Sequence, residues 1–208
     1  MSRILVIATR NPDKLREITH LIQGLPVDVR DLTEFLSLPP VVEDRPTVHE
    51  NALKKAVEVA RHVREWVLAD DTALEVEALG GAPGVHTARY SGSGASYESN
   101  RKKLLAELEG ISGDKRVALF RTVVALRVEN SLHLFEGVLH GRIASSPRGH
   151  RGFGYDPIFE LPDGRTLAEL ELDEKNRISH RALALGYARH FLEWLLANDS
   201  MGQTRGSQ

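Results

Sequence analysis

A short run of aliphatic and β-branched residues near the start of the sequence, from Arg3 to Ala8, constrains the fold more than any other segment. Its near-continuous apolar character is typical of a strand that is buried on both faces, as in the parallel sheets of α/β proteins. Asn11 follows as a favourable helix N-cap, and Pro12 suits the first helical position. Apolar residues then recur at helical spacing as far as Ile22. The segment therefore predicts a strand–helix unit and an α/β fold.

A long hairpin makes the predicted sheet a mixed one. Residues 117–128 and 132–143 alternate apolar and polar side chains, which is typical of two antiparallel strands. Asn130 and Ser131 form the predicted turn between them. A last helix is predicted to begin after Ser179. Its residues at core spacing are Leu183, Tyr187, His190, Phe191, Trp194 and Leu195.

The charge balance and the missing residue types exclude several functional classes. The 208 residues include 27 basic and 29 acidic side chains, which gives a net charge of −2, and they include no cysteine. Disulfides, thiolate zinc sites and a thiol nucleophile are thereby excluded. A near-neutral chain also lacks the overall positive field that holds nucleic acid non-specifically, so no nucleic-acid partner is expected.

The sequence is predicted to form one domain, residues 1–197, followed by a polar, glycine-containing flexible tail at residues 198–208. No stretch reaches the ~20 apolar residues of a membrane helix, and the apolar run near the N-terminus is too short for a secretory signal. We therefore expect a cytoplasmic protein without a membrane partner.

The junction between the first strand and the first helix is a candidate phosphate site. A helix N-terminus presents free N–H groups and a partial positive charge, both of which favour phosphate. Lys14 lies in the first turn and adds a full charge, while Thr9 and Asn11 can donate hydrogen bonds. A plain N-cap with a surface lysine is the alternative interpretation. The glycine-rich P-loop pattern is absent from the sequence.

Two adjacent aspartates, Asp70 and Asp71, follow a short predicted strand at residues 66–69. Carboxylates at the end of a strand commonly face the ligand crevice of an α/β fold. Adjacent acids repel each other unless a cation or hydrogen bonds offset the repulsion, and hard oxygen ligands of this kind suit Mg²⁺. Glu43 and Asp44 in a preceding loop can complete such a site. The alternative is a capping aspartate with a solvated neighbour.

Two further segments provide candidate contacts for a base. Glycines on both sides of Phe153 let the backbone approach a ligand, and Phe153 or Tyr155 can stack on a base; a buried aromatic cluster is the alternative. Ser179 as N-cap places His180 and Arg181 in the first helical turn. Cations there oppose the helix dipole, so helix stability alone does not account for them. Together with the phosphate and metal candidates, these segments predict a nucleotide site.

Five segments of the sequence resemble one family. They read ATRNPDKLREI, ENALKKA, ADDTALEVEALGGAPGVHTARYSG, GFGYDPIF and EKNRISHRALAL, and they span about residues 5–190. This set is similar to that of the inosine triphosphate pyrophosphatase, or Ham1-like, family. The resemblance implies Mg²⁺-dependent hydrolysis of ITP, dITP and XTP to the monophosphate and pyrophosphate. It also implies an elongated mixed β-sheet flanked by helices in two lobes, with the nucleotide between them, and a homodimer.

The resemblance also implies roles for individual residues. Asp71 matches the general-base aspartate, and Glu43 together with Asp71 matches the Mg²⁺ position. His180 and Arg181 would read the six-position oxygen of the purine. The triphosphate contacts would be Thr9, Arg10, Asn11, Pro12, Asp13, Lys14 and Lys55, and the other substrate contacts Thr72, Phe153, Gly154, Tyr155, Asp156 and Lys175.

The sequence departs from the family pattern at two places. Arg10 stands where a small residue, commonly glycine, is usual, and it either adds a phosphate contact or points to solvent. The acidic loop lacks the glycine and the phenylalanine that are more typical near residues 45–48. Two alternatives are a non-catalytic nucleotide sensor and hydrolysis of modified pyrimidine triphosphates, as in the structurally related Maf-type enzymes.

Overall fold

The computed structural model describes residues 3–35 and 38–205, with side chains described through residue 198. None of the helices in these ranges is long and apolar enough to cross a membrane. The last helix continues through part of the predicted tail, whose residues 206–208 lie outside the described residues. In chain order the elements are β1 (Arg3–Ile7), α1 (Pro12–Ile22), β2 (Val27–Asp31), α2 (Val48–Ala60), β3 (Trp66–Val76), β4 (Pro83–Gly84), α3 (Tyr97–Glu107), β5 (Val117–Val128), β6 (Ser131–Ile143), β7 (Phe159–Glu160), α4 (Leu172–Ile178) and α5 (His180–Arg205).

One mixed sheet forms the centre of the structure. Its strand order is β2-β1-β3-β5-β6-β7, and β4 pairs with the far end of β3. β1 pairs in parallel with both β2 and β3, whereas the pairs from β3 to β7 are antiparallel. The sheet thus joins a strand–helix unit to a long hairpin. The predicted α/β fold, with a mixed sheet flanked by helices, is confirmed.

Helices cover both faces of the first half of the sheet because β1 and β3 are apolar on both sides. Leu5 and Leu68 pack with α1 and α5 on one face. Val6 and Val67 pack with α2 on the other face. A third core lies farther along the sheet, and its members include Leu74, Leu104, Phe120, Ile143 and Phe159. Along β3, residues 70–72 therefore lie close to the boundary between the cores, since Ala73 belongs to the second core and Leu74 to the third.

The strand that carries the two aspartates is longer than predicted. Instead of ending at Ala69, β3 continues through Asp70 and Asp71 to Val76. Its parallel pairing with β1 does stop at Leu68, but its antiparallel pairing with β5 runs on to Val76. The aspartates are consequently held in an extended backbone, and successive side chains point to opposite faces of the sheet.

The hairpin turn also differs from the prediction by one residue. Val128 and Ser131 are paired, so Glu129 and Asn130 form the turn. Glu129 adopts a φ of 51°, a left-handed conformation that is uncommon for a residue other than glycine. A sequence pattern that favours Asn and Ser in turns therefore placed the turn too late.

The predicted core stripe of α5 is partly wrong. Phe191 and Leu195 pack against the core as predicted. Leu183, Tyr187 and Trp194, however, are 39%, 62% and 59% exposed, and His190 is exposed as well. The residues that α5 buries instead include Ala184, Leu185, Ala188 and Leu192.

A close approach between α5 and the sheet explains this choice of face. A Cβ atom at Gly137 of β6 would overlap the backbone of His180 and Ala184. Only glycine in the strand and small residues in the helix permit such a contact. Ala184 therefore faces the sheet at this contact, and several large side chains of α5 project outward.

Candidate active site

A cleft of about 300 Å³ opens where β1 ends, between the first strands and the loop that follows β6. Of the residues to which the family resemblance gives a role, all except Pro12 and Asp13 line it, whereas Asp44 and Asp70 of the predicted acidic cluster do not. The predicted residues that the cleft brings together are Thr9, Arg10, Asn11, Lys14, Glu43, Lys55, Asp71, Thr72, Phe153, Gly154, Tyr155, Asp156, Lys175, His180 and Arg181.

The segment between β1 and α1 forms one wall of the cleft. Asn11 caps α1 as predicted, because its Oδ1 accepts hydrogen bonds from the backbone N–H groups of Asp13 (2.9 Å) and Lys14 (3.2 Å). Pro12 is the first residue of the helix. Arg10 donates to the backbone oxygen of Leu38 at 2.6 Å, so its guanidinium joins this segment to the loop that leads to Glu43.

Lys14 forms an ion pair with the buried Asp70 beside this segment. Their Nζ and Oδ2 atoms are 3.0 Å apart, and Asp70 is 1% exposed. Burial alone would raise the pKa of Asp70, but the charges of Lys14, Arg181 and Lys55 outweigh it and hold that pKa well below its usual range. Asp70 is therefore a fixed anion. Its other oxygen, Oδ1, is buried and has no hydrogen-bond partner among the described residues.

Asp71 faces the opposite side of β3. Its Oδ1 lies 3.2 Å from the Nζ of Lys55, which also contacts Glu43 Oε1 at 2.7 Å and donates to the backbone oxygen of Asp70. Burial raises the pKa of Asp71, and the single neighbouring ammonium of Lys55, together with the more distant Lys14, does not reverse this rise. Asp71 therefore has a stronger affinity for a proton than an ordinary aspartate, as a general base requires.

The carboxylates of Glu43 and Asp71 fit a hard cation. Both already converge on one cation, the ammonium of Lys55. Among the described side chains, no cluster of three or more His, Asp or Glu residues forms a complete metal cage. Mg²⁺ in proteins commonly needs only one or two carboxylates, because substrate phosphates and water complete its octahedral shell. Asp44, the second acid of the predicted pair, is exposed and contacts Lys54 at 2.7 Å instead.

The other wall of the cleft is built around Phe153. The Nζ of Lys175 lies 5.0 Å from the centre of its ring, and the guanidinium of Arg181 lies 5.5 Å away. Asp156 shapes this loop by accepting from the backbone N–H of Phe153 at 2.8 Å and from Lys175 at 2.5 Å. A flat apolar face backed by cations is suited to stacking with a purine.

Tyr155 is mainly a core residue. It is 4% exposed, belongs to the third core and donates its hydroxyl to the backbone oxygen of Thr87 at 3.0 Å. The interpretation of this loop as a buried aromatic cluster therefore holds for Tyr155, whereas the ring of Phe153 lies at the cleft with partial exposure.

Glu17 is a buried charge that the sequence analysis missed. Its two carboxylate oxygens accept from Lys175 (2.8 Å) and from Arg181 (2.5 Å), and it is 3% exposed. Glu17 and Asp70 together offset the cation that Arg181 places in the first turn of α5. The available signal was position: Glu17 lies three residues after Lys14, on the same face of α1.

Tyr97 is a second contact that the sequence analysis missed. Its hydroxyl accepts from Asn11 Nδ2 at 3.1 Å and donates to Asp13 Oδ2 at 3.0 Å, while its ring lies 5.8 Å from that of Phe153. The other oxygen of Asp13 contacts Arg16 at 2.8 Å. Asp13 is thus held away from the cleft, which explains why it does not line it.

His180 and Arg181 begin α5 as predicted. Ser179 caps the helix by accepting from the backbone N–H of Ala182 at 3.1 Å. The imidazole of His180 stacks on Phe120 at 4.5 Å, and burial, reinforced by the charges of Arg181 and Lys175, lowers its pKa well below the ordinary value. The ring is therefore neutral near pH 7.

The sequence profile of the Ham1 family matches residues 5–191, which is most of the chain. The chain belongs to the Ham1 family. A dITP/XTP pyrophosphatase of Syntrophobacter fumaroxidans is 50% identical over 93% of this chain and 85% of its own length. A dITP/XTP pyrophosphatase of Geobacter sulfurreducens is 49% identical over 91% of this chain and 96% of its own. A solved HAM1 protein from Coxiella burnetii is 40% identical, with a TM-score of 0.84 over 92% of this chain and 98% of its own.

Proposed function

We propose that the protein hydrolyses ITP, dITP and XTP to the monophosphate and pyrophosphate with Mg²⁺, and so removes these nucleotides from the pool. Its enzyme class, a nucleoside triphosphate pyrophosphatase and thus a hydrolase, follows from its membership of the Ham1 family and from relatives of that name. The observation that carries the finer proposal is the position of Asp71. This acid, with its raised pKa, shares one cleft with a helix N-terminus, a pair of lysines and an aromatic face.

The triphosphate is proposed to lie along the wall that contains Lys14. The N-terminus of α1 supplies a partial positive charge, and Lys14 and Lys55 supply two ammonium groups. Arg10 keeps the Glu43 loop next to this wall through its bond to Leu38. Phosphate oxygens can therefore be held from both sides of the cleft.

Asp71 is proposed to accept a proton from the attacking water. The water oxygen forms a bond to the α-phosphorus, the bond from that phosphorus to the bridging oxygen breaks, and pyrophosphate leaves. Glu43 and Asp71 would hold Mg²⁺, which when bound neutralises phosphate charge and polarises the phosphorus. Lys14 and Lys55 stabilise the negative charge that develops on the leaving group.

The base is proposed to lie against Phe153, with its six-position oxygen toward His180 and Arg181. A buried donor that meets an amino group instead of a carbonyl is left unpaired, which costs ~1–3 kcal/mol. Three donors of Arg181 are already directed at Glu17, Asp70 and Thr72. His180 therefore has a ring nitrogen that is freer than the Arg181 donors to bind the six-position oxygen. This arrangement supports a preference for six-oxo purines over ATP.

A pyrophosphate-release assay tests the proposal. With Mg²⁺ present, ITP, dITP and XTP are expected to exceed ATP and GTP by at least about tenfold in kcat/KM. Modified pyrimidine triphosphates serve as the comparison series. A preference for that series would favour the Maf-type alternative, and binding without pyrophosphate release would favour a nucleotide sensor.

A homodimer and a cytoplasmic location belong to the same proposal. The resemblance to the family supports the dimer, and the chemistry supports the location, because nucleoside triphosphates are consumed where nucleic acids are made. Light scattering after size exclusion should give twice the chain mass of 23.1 kDa. Cell fractionation should place the protein with cytoplasmic markers, and recovery with membranes would contradict the location.

A further inference from the structure

A chain of two hydroxyl groups connects Arg181 to His180 beneath the cleft. Arg181 Nη2 lies 3.3 Å from the Oγ1 of Thr72, and that oxygen lies 2.7 Å from the Oγ1 of Thr122. Thr122 Oγ1 in turn lies 2.6 Å from Nδ1 of His180. The two threonines are opposite each other in β3 and β5, and Thr122 is completely buried. The register of the sheet therefore places the two hydroxyls in contact.

The guanidinium fixes the direction of the hydrogen bonds along this chain. Arg181 can only donate, so the oxygen of Thr72 accepts from it. If Thr72 then donates to Thr122, the remaining hydrogen of Thr122 points to His180, and every hydroxyl hydrogen in the chain is used. In the reverse direction His180 donates to Thr122 and Thr122 donates to Thr72. The hydrogen of Thr72 then has no acceptor within this row of hydroxyl groups. The reverse direction would also turn the hydroxyl hydrogen of Thr122 toward Thr72, on the side of the positive charge of Arg181.

This direction determines which nitrogen of His180 carries the proton. Nδ1 accepts from Thr122, and the buried ring is neutral, so its one hydrogen is on Nε2. Phe120 covers a face of the ring, and the ring lines the cleft. Nε2–H is thus the part of His180 that remains for a ligand, and it is a donor.

We propose that Thr122 is a positioning residue for specificity: through the hydroxyl chain from Arg181 it holds His180 as the Nε2–H tautomer, which donates to a six-position oxygen and rejects a six-position amino group. The inference rests on the proposed function for the identity of the substrate. The tautomer itself is a property of the free protein, and it can be measured without any substrate.

Nuclear magnetic resonance of protein with ¹⁵N-labelled histidine tests the tautomer directly. The sequence has nine histidines, and a His180→Gln variant identifies the signals of His180. The wild type is expected to show a protonated Nε2 and an unprotonated Nδ1. Thr122→Val should raise the fraction of the other tautomer, Thr122→Ser should restore the wild-type fraction, and Phe120→Leu should keep it because it leaves the hydroxyl chain intact. A wild type with the proton on Nδ1 overturns the inference, whether or not any variant folds.

Kinetics test the consequence for specificity. The ratio of kcat/KM for ITP to that for ATP should fall at least about tenfold in Thr122→Val and recover in Thr122→Ser. The ratio for ITP to GTP, which share the six-position oxygen, should change by less than about threefold. A wild type without preference for ITP overturns the proposed function and the specificity claimed here. A wild type that prefers ITP, with an unchanged ratio in Thr122→Val, overturns this inference alone.

Discussion

Asp70 and Asp71 are adjacent in the sequence, yet they belong to two differently built regions. The Asp70 region contains two cations, the partly exposed Lys14 and the buried Arg181, within 3.4 Å of the carboxylate. The Asp71 region contains one, Lys55, which Asp71 shares with Glu43. Burial acts on both acids in the same direction, so the number of cations decides the sign of each pKa shift. One acid becomes a fixed anion that organises the site, and the other keeps an affinity for protons and cations.

The largest effect should come from the Asp71 region. Asp71→Asn removes the proton acceptor, so kcat for ITP should fall about 1,000-fold or more, while the thermal midpoint stays within a few degrees of the wild type. Pyrophosphate release and thermal unfolding measure the two quantities. Asp44→Asn is the matched control, since Asp44 is exposed and paired with Lys54, and it should retain full activity. Turnover by Asp71→Asn within tenfold of the wild type would remove Asp71 from the proposed role.

The Asp70 region should instead respond in stability. Asp70→Asn removes a buried charge from Lys14 and from the buried Arg181, and it should lower the free energy of unfolding by about 3 kcal/mol. Asp71→Asn should cost less than about 1 kcal/mol, because Lys55 retains Glu43. Urea unfolding of both variants measures the difference. Equal losses in the free energy of unfolding would show that the two aspartates contribute alike to stability, contrary to this comparison.

The two regions should also give opposite dependences of stability on pH. The folded pKa of Asp70 lies below the ordinary 3.8, so its contribution is present above that value and is lost as pH falls below it. The folded pKa of Asp71 is raised, so the folded state holds more protons and loses relative stability as pH rises above 3.8. Unfolding in Mg²⁺-free buffer from pH 3 to about pH 7 tests this.

The two asparagine variants distinguish these contributions. Relative to the wild type, Asp70→Asn should lose less stability as pH falls, and Asp71→Asn should gain stability as pH rises from about 4 to 6. Parallel curves for both variants would contradict the assigned directions.

The smallest effect should come from Tyr97, whose hydroxyl bonds Asn11 and Asp13 instead of Asp70 or Asp71. Tyr97→Phe removes the hydroxyl that holds Asn11 and Asp13, so KM for ITP should rise about threefold with kcat changed less than twofold. Steady-state kinetics give both constants. Tyr187→Phe, on the exposed face of α5, is the control and should change neither. A loss confined to kcat would place Tyr97 with the Asp71 region instead.

Local patterns predicted the parts of the site that depend on neighbours in the sequence. Asn11 and Ser179 cap their helices and Pro12 takes the first helical position as expected, because helix starts depend on residues within one turn. The role of Glu17 was not predicted, because its partners Lys175 and Arg181 lie 158 and 164 residues later in the chain.

Long-range pairing also explains the errors in the fold. β3 continues past Asp71 because it pairs with β5, which lies about 50 residues later in the sequence. The residues next to Asp71 do not indicate that pairing. The predicted buried face of α5 was wrong because that helix carries apolar residues on more than one side. The close approach at Gly137 favours the face with small side chains. Helical spacing alone does not predict which of these apolar faces is buried.

The extended backbone at the two aspartates limits which lengths of chain this enzyme can tolerate. Inserting one residue between Leu68 and Asp70 would reverse the facing of both acids, because Asp70 would take the present place of Asp71 beside Lys55 and Asp71 would take the present place of Thr72 beside Arg181. Inserting two would restore the facing but move both acids ~7 Å farther from the end of β1. Viable insertions and deletions should therefore be found in loops such as residues 80–82 or 92–96, and β3 should keep its length between Trp66 and Thr72.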